Sequence, residues 1–259
     1  MSSLLRIDEL TVELTTANGP FRAIDRLSLD VPAGGILGIV GESGSGKTML
    51  LRAVTGILPD GATRSWARVE FDGEDVAARF DRRRLPISMV FQDPMTSFNP
   101  LARIGTHLVE VVRRHRRVTR REARRLAADA LAAARVPDPP RVLGRYPHEL
   151  SGGLRQRAMI AMSLLAEPRL LLADEPTTAL DATVQAEILA LIRQLRDERD
   201  LTVVIVTHDL GVVAALCDTV AVMKDGEIVE RTTVDDLFHS PRHPYTRSLL
   251  AAAPEGGAP

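Results

Sequence analysis

Ile36-Leu37-Gly38-Ile39-Val40-Gly41-Glu42-Ser43-Gly44-Ser45-Gly46-Lys47-Thr48 runs from a short apolar stretch straight into a glycine-rich turn ending in Lys-Thr. A continuous apolar run of this length reads as a strand covered on both faces. Thr48-Met49-Leu50-Leu51-Arg52-Ala53-Val54 follows and reads as a helix. Strand, loop and helix in that order are the context in which G-x-x-x-x-G-K-T cradles phosphate. The glycines let backbone N–H groups turn inward, and the helix N-terminus adds unpaired donors and a positive dipole end. Gly41, Glu42, Ser43, Gly44, Ser45, Gly46, Lys47 and Thr48 are therefore the expected contacts of a nucleoside triphosphate, ATP. Lys47 is expected on the β and γ phosphates, with catalytic weight, and Thr48 on Mg²⁺.

Outward from the loop, Leu170-Leu171-Leu172-Ala173 is a second apolar strand, closed by Asp174 and Glu175. Carboxylates at a strand's carboxyl end face the ligand crevice of an α/β sheet. Asp174 is the expected Mg²⁺ partner, and Glu175 the residue that orients and polarises the attacking water. A third strand, Thr202–Val206, leads to His208, placed to touch the γ-phosphate. Alternation at Leu5, Ile7, Leu10, Val12 and Leu14 predicts a half-buried strand with a turn inside it. Ile24–Val31, residues 66–71 and Ser88–Phe91 are further strands. Residues 95–160 read as a helical insertion, with capping-box spacing at Thr119 and Glu122 and a break at Val136–Pro140. A helix is predicted over Ala182–Glu198, then a hairpin turning at Asp225-Gly226 and a tail holding one short apolar helix.

The chain has 259 residues, 45% hydrophobic and 26% charged, with a formal net charge of -1. A general attraction to nucleic acid or lipid is not implied. Its single cysteine, Cys217, excludes an internal disulfide framework and reads as an ordinary buried thiol in a helical stretch. No signal peptide is read at Met1–Leu4, and no apolar run is long enough to span a bilayer, so a membrane role runs through a partner. The basic run at Arg113, Arg114, His115, Arg116, Arg117, Arg120, Arg121, Arg124 and Arg125 lacks interleaved aromatics. It reads as a solvated helix face rather than a nucleic-acid patch.

Leu150-Ser151-Gly152-Gly153-Leu154-Arg155-Gln156-Arg157 looks like the ABC signature. With the phosphate loop, it makes the chain resemble the nucleotide-binding subunits of ABC transporters over essentially its whole length. The resemblance implies an α/β phosphate-loop ATPase core with an antiparallel β subdomain and a helical insertion. It implies one domain over 1–259, with a helical subdomain at about 95–160 and a family tail at about 238–259. Gln92 matches the glutamine that contacts Mg²⁺ near the membrane-subunit coupling surface, and counts with Lys47, Glu175 and His208 in the catalytic set. Ala179-Leu180-Asp181 matches the D-loop. The family's sites lie between two subunits arranged head to tail. Ser151, Gly152 and Gly153 would close on the partner's γ-phosphate, with Gln156 and Asp181 among the nucleotide-side contacts. The family stacks adenine on an aromatic residue, and Phe21 is the nearest candidate.

Phe91-Gln92-Asp93-Pro94-Met95-Thr96-Ser97-Phe98-Asn99-Pro100 and Phe238-His239-Ser240-Pro241-Arg242-His243-Pro244-Tyr245-Thr246-Arg247 look like the ATPase subunits of peptide and nickel importers. That implies a second homologous ATPase subunit, two transmembrane permease subunits and an extracytoplasmic solute-binding protein, at the cytoplasmic face of the membrane. The length fits the dipeptide or nickel type, and a tail without cysteine predicts no iron–sulfur cluster. The other reading is a non-transport ABC ATPase acting on DNA or the ribosome. Such proteins usually carry tandem ATPase domains or long coiled-coil insertions, whereas this chain has one phosphate loop. A binding-only regulatory module is disfavoured by Glu175 and His208 together.

Overall fold

The computed structural model describes residues 3–17, 19–77, 80 and 85–252. Its first elements are two long antiparallel strands, β1 (Ser3–Thr16) and β2 (Gly19–Pro32), paired from Ser3↔Pro32 to Thr16↔Gly19. The turn expected inside the first strand is a bulge. Register shifts between Ile7 and Leu10, and Glu9 takes a left-handed φ of 56°. The extra residue keeps Ile7 and Leu10 both buried although an odd spacing separates them.

Strand β3 (Ile36–Val40) and helix α1 (Lys47–Thr55) follow, with the loop between them. Three short strands, β4 (Ala62–Ser65), β5 (Arg68–Phe71) and β6 (Glu74–Asp75), complete an antiparallel sheet of order β2-β1-β5-β6, with β4 also on β1. After β7 (Ile87–Val90) come five helices: α2 (Pro94–Ser97), α3 (Ile104–His115), α4 (Arg120–Ala133), α5 (Pro139–Leu143) and α6 (Gly152–Leu164). Thr119 caps α4 by accepting the Glu122 N–H at 3.2 Å. The arginines at 113, 117, 120, 121, 124 and 125 are exposed, and Arg125 pairs with Glu122 and Asp129 on its own helix.

Then come β8 (Leu170–Asp174), α7 (Ala182–Arg199), β9 (Thr202–Val206), α8 (Leu210–Leu216), β10 (Thr219–Lys224) and β11 (Glu227–Thr233). The second sheet has the order β11-β10-β3-β9-β8-β7, parallel except for the β10–β11 hairpin. Its central strands are buried throughout, and their alternate residues serve different cores. In β9, Val203 and Ile205 join the helices, while Val204 and Val206 join the antiparallel sheet. This two-sided burial is why the run lacks polar alternation.

The tail holds the one helix expected of it, α10 (Pro244–Ala251); α9 (Val234–His239), just ahead of the tail, was not read from the sequence, and both pack on Val40, Val220 and Val222. The tail's last residues, 253–259, lie outside the described residues. Cys217 sits at the C-cap of α8 rather than inside a helix, beside Gly38, and burial pushes its thiol up to about 12. Among the described residues, no helix is long and apolar enough to cross a membrane.

Candidate nucleotide site

Four neighbouring parallel strands, in the order β3-β9-β8-β7, end on one edge of the sheet. The phosphate loop follows β3, His208 follows β9, Asp174 and Glu175 close β8, and Gln92 follows β7. The order interleaves elements far apart in the chain, so the sheet gathers groups that sequence distance keeps separate. This is the carboxyl-end crevice where α/β sheets place ligands.

Lys47 is 6% exposed. Its ammonium donates to the carbonyls of Gly41 and Glu42, each at 2.8 Å, and to the Ser45 hydroxyl at 3.4 Å. The charge is thus wrapped in its own loop. Burial lowers the Lys47 pKa below its ordinary value, against the pull of Glu175, Asp174 and Glu42. Gly46 has φ 99°, and a Cβ there would lie 2.8 Å from the Ala23 carbonyl of β2. Only a residue without a side chain fits that approach.

The Thr48 hydroxyl donates to Asp174 Oδ1 at 3.1 Å, joining the start of α1 to the end of β8. Asp174 is 2% exposed. Burial raises its pKa, and the Glu175 charge adds to the rise against the Thr48 hydrogen bond. A carboxyl whose folded pKa lies above its unfolded one costs stability once pH has risen through the folded value. Asp174→Asn is therefore expected to raise the melting midpoint of the nucleotide-free protein at neutral pH while weakening Mg²⁺-dependent nucleotide binding. Scanning fluorimetry with and without Mg·ATP checks both, and a lowered nucleotide-free midpoint would refute the desolvation argument.

Glu175 is the most connected group of the site. It has a left-handed φ of 44°, and its N–H donates to Val206 O at 2.9 Å, which ties the end of β8 to β9. Oε2 accepts from Gln92 Nε2 at 3.1 Å and from the Thr178 hydroxyl at 2.8 Å. Oε1 lies 3.1 Å from His208 Nδ1. Burial works to raise the Glu175 pKa. The hydrogen bonds from His208 and Thr178, with the charges of His208 and Lys47, outweigh it and bring the net below the ordinary carboxylate value. The stability this contributes is present above the carboxylate range and is lost as pH falls through the depressed pKa. Thr178 was not among the sequence-derived candidates. Its place in the Pro-Thr-Thr turn after Glu175 was the available signal.

The signature stands on another part of the molecule. Ser151 is exposed and caps α6, accepting the Leu154 N–H at 3.4 Å. Helix α6 packs on α4, α7, α3, α2 and β7, whereas α1 packs on β2, β7 and β8. A Cβ on Gly153 would lie 2.6 Å from Val184 Cγ1, so that glycine is also required by close packing on α7. Asp181, exposed, caps the same helix through the Val184 N–H at 3.0 Å. Gln156 departs from expectation. It is 2% exposed and its Nε2 has no partner among the described residues, so it does not share the face Ser151 presents. Helical spacing from the cap turns position 156 inward. Phe21 is 55% exposed on β2, and lies two residues from the Ala23 that touches Gly46.

A phosphate loop, buried acid and carboxylate cluster on one sheet edge define a phosphate-loop ATPase of α/β fold. A family model described as "ABC transporter" matches residues 24–178, and one described as "Oligopeptide/dipeptide transporter, C-terminal region" matches residues 229–259. The dipeptide transport ATP-binding protein DppD of Escherichia coli (strain K12) is 43% identical over 258 residues, spanning 98% of this chain and 79% of its own. The oligopeptide transport ATP-binding protein OppD of Bacillus subtilis (strain 168) is 42% identical, over 98% of this chain and 73% of its own. A dimeric ATP-binding cassette solved in a post-hydrolysis state with ADP and Pi superposes with a TM-score of 0.77 at 27% identity, over 89% of this chain and 98% of that one. The chain belongs to the ABC transporter family, and it is an ATPase of that family.

Proposed function

We propose that this chain is the ATP-hydrolysing subunit of a membrane importer of peptide-type solutes. It works as one half of a head-to-tail ATPase dimer, at the cytoplasmic face of the membrane, beneath two transmembrane permease subunits fed by an extracytoplasmic solute-binding protein. The observation that carries the reading is the tail. Residues 229–252, the described part of the stretch matched by the peptide-transporter C-terminal model, fold back onto the phosphate-loop sheet instead of standing apart from it. The named relatives transport dipeptides and oligopeptides, which favours peptides over nickel. No finding favours action on DNA or the ribosome.

In this reading the chain is one nucleotide-binding domain, with α2–α6 as its helical subdomain. Lys47 releases its own loop and engages the β and γ phosphates, and the loop N–H groups close around them. Phe21 stacks on adenine. Thr48, Asp174 and the Gln92 amide oxygen form an all-oxygen donor set that suits Mg²⁺, and the raised pKa of Asp174 marks a place where added positive charge is welcome. When bound, Mg²⁺ neutralises charge on the phosphate oxygens. Glu175, ionised at neutral pH, orients the attacking water, and His208 reaches the γ-phosphate from beside it. Ser151, Gly152 and Gly153 complete the partner's site with a hydroxyl and the N-terminus of α6.

Co-reconstitution with the permease subunits in liposomes tests the assignment. ATP turnover is expected to rise when a peptide-loaded solute-binding protein is added. Turnover that responds to DNA or ribosomes, and not to the loaded binding protein, would overturn it.

A further inference from the structure

The Tyr245 hydroxyl accepts the backbone N–H of Glu42 at 3.0 Å. Glu42 is the second residue of the phosphate loop, and Tyr245 lies 203 positions along the chain, on α10. The contact is built rather than incidental. Glu230 of β11 gathers the turn before α10, its two carboxylate oxygens accepting the Arg242 N–H at 2.8 Å and the His243 N–H at 3.0 Å. His243 Nδ1 accepts the Tyr245 N–H at 3.2 Å. The Tyr245 ring is 9% exposed, with the Lys224 ammonium 5.1 Å from its centroid. A phenol held this way is a short rigid strut with its oxygen on the loop.

Glu42 is anchored from its other side as well. Its carbonyl accepts from Lys47 Nζ at 2.8 Å and from the Ser45 N–H at 3.2 Å. The Gly226 N–H of the β10–β11 turn meets the Ser45 carbonyl at 3.1 Å. The Lys47 bond must break when the ammonium turns to phosphate, whereas the Tyr245 bond need not. We infer that Tyr245 is a positioning residue for the phosphate loop: the tail hydroxyl fixes the loop's entry so that its later N–H groups face the phosphates. This gives the C-terminal region a role in nucleotide binding, and it rests on the reading of residues 41–48 as the phosphate cradle.

Tyr245→Phe removes the hydroxyl and keeps the ring. In the purified chain with its partner subunit, KM for Mg·ATP is expected to rise about fivefold, the worth of one neutral hydrogen bond, with kcat at saturation held within about twofold. The nucleotide-free melting midpoint should stay within about 2 °C. Leu249→Ala, which loosens the packing of α10 without touching the hydroxyl, is the control. An unchanged KM, a fall in kcat alone, or an equal KM rise in Leu249→Ala would overturn the proposal. Lys47→Ala measured in parallel separates the two levels. Lost affinity there with none in Tyr245→Phe rejects the strut alone, and no loss in either rejects the cradle.

Discussion

Glu175→Gln is expected to slow ATP hydrolysis at least a hundredfold while leaving Mg·ATP binding intact. A positioned base contributes roughly 10²- to 10⁴-fold to a rate, and glutamine keeps the size of the side chain while losing the basic oxygen. The surroundings make the substitution local. Thr178 at 2.8 Å and Gln92 at 3.1 Å hold the side-chain position, and the backbone bond to Val206 at 2.9 Å does not depend on the carboxylate. In the proposed site, binding rests on the loop, on Thr48 and on Asp174, which the change leaves alone. An ATP-bound dimer should therefore accumulate with the partner subunit. Size-exclusion chromatography with Mg·ATP reads it out, and undiminished turnover would remove Glu175 from its role.

Lys47→Ala should weaken Mg·ATP binding by about a hundredfold or more. That equals roughly 3 kcal/mol at 1.4 kcal/mol per decade, within reach for a largely desolvated ammonium making charge-assisted bonds to phosphate. The ammonium already sits inside the loop, bonded to Gly41 O, Glu42 O and Ser45 Oγ, so little reach is needed to bring it to a ligand there. Isothermal calorimetry with a slowly hydrolysed ATP analogue measures the change. Equal affinity in wild type and variant would leave the loop without its principal charge.

The strand-loop-helix at residues 36–55 was legible because every part of its meaning is local: burial pattern, glycine spacing and the Lys-Thr ending are contiguous. The carboxylates at 174 and 175 were legible for the same reason, at the end of an apolar strand. Their meeting with Gln92 and His208 was expected only through the family resemblance, not from any local pattern. It depends on β9 inserting between β3 and β8, with β7 outside them, a spatial order that no local pattern encodes. Strand β4 went unread because Ala-Thr-Arg-Ser offers no apolar alternation and exists by pairing with β1. The bulge at Glu9 read as a turn because a positive-φ residue breaks the period of two in the same way. Gln156 was grouped with Ser151, Gly152 and Gly153 by motif membership, though the helix that begins at Gly152 turns it into the core. Tyr245 was quoted as a mark of kinship, and only the folded tail brings its oxygen to the loop.

Glu175, the residue proposed to orient the attacking water, is held on both of its carboxylate oxygens, one by Gln92 and Thr178 and the other by His208. A carboxylate offers about four acceptor sites, so these three contacts fix its position and leave room for one incoming water. In the role proposed for Glu175, the carboxylate is therefore aimed before any water arrives, and the contacts that hold it spare the site a rearrangement at the moment of use.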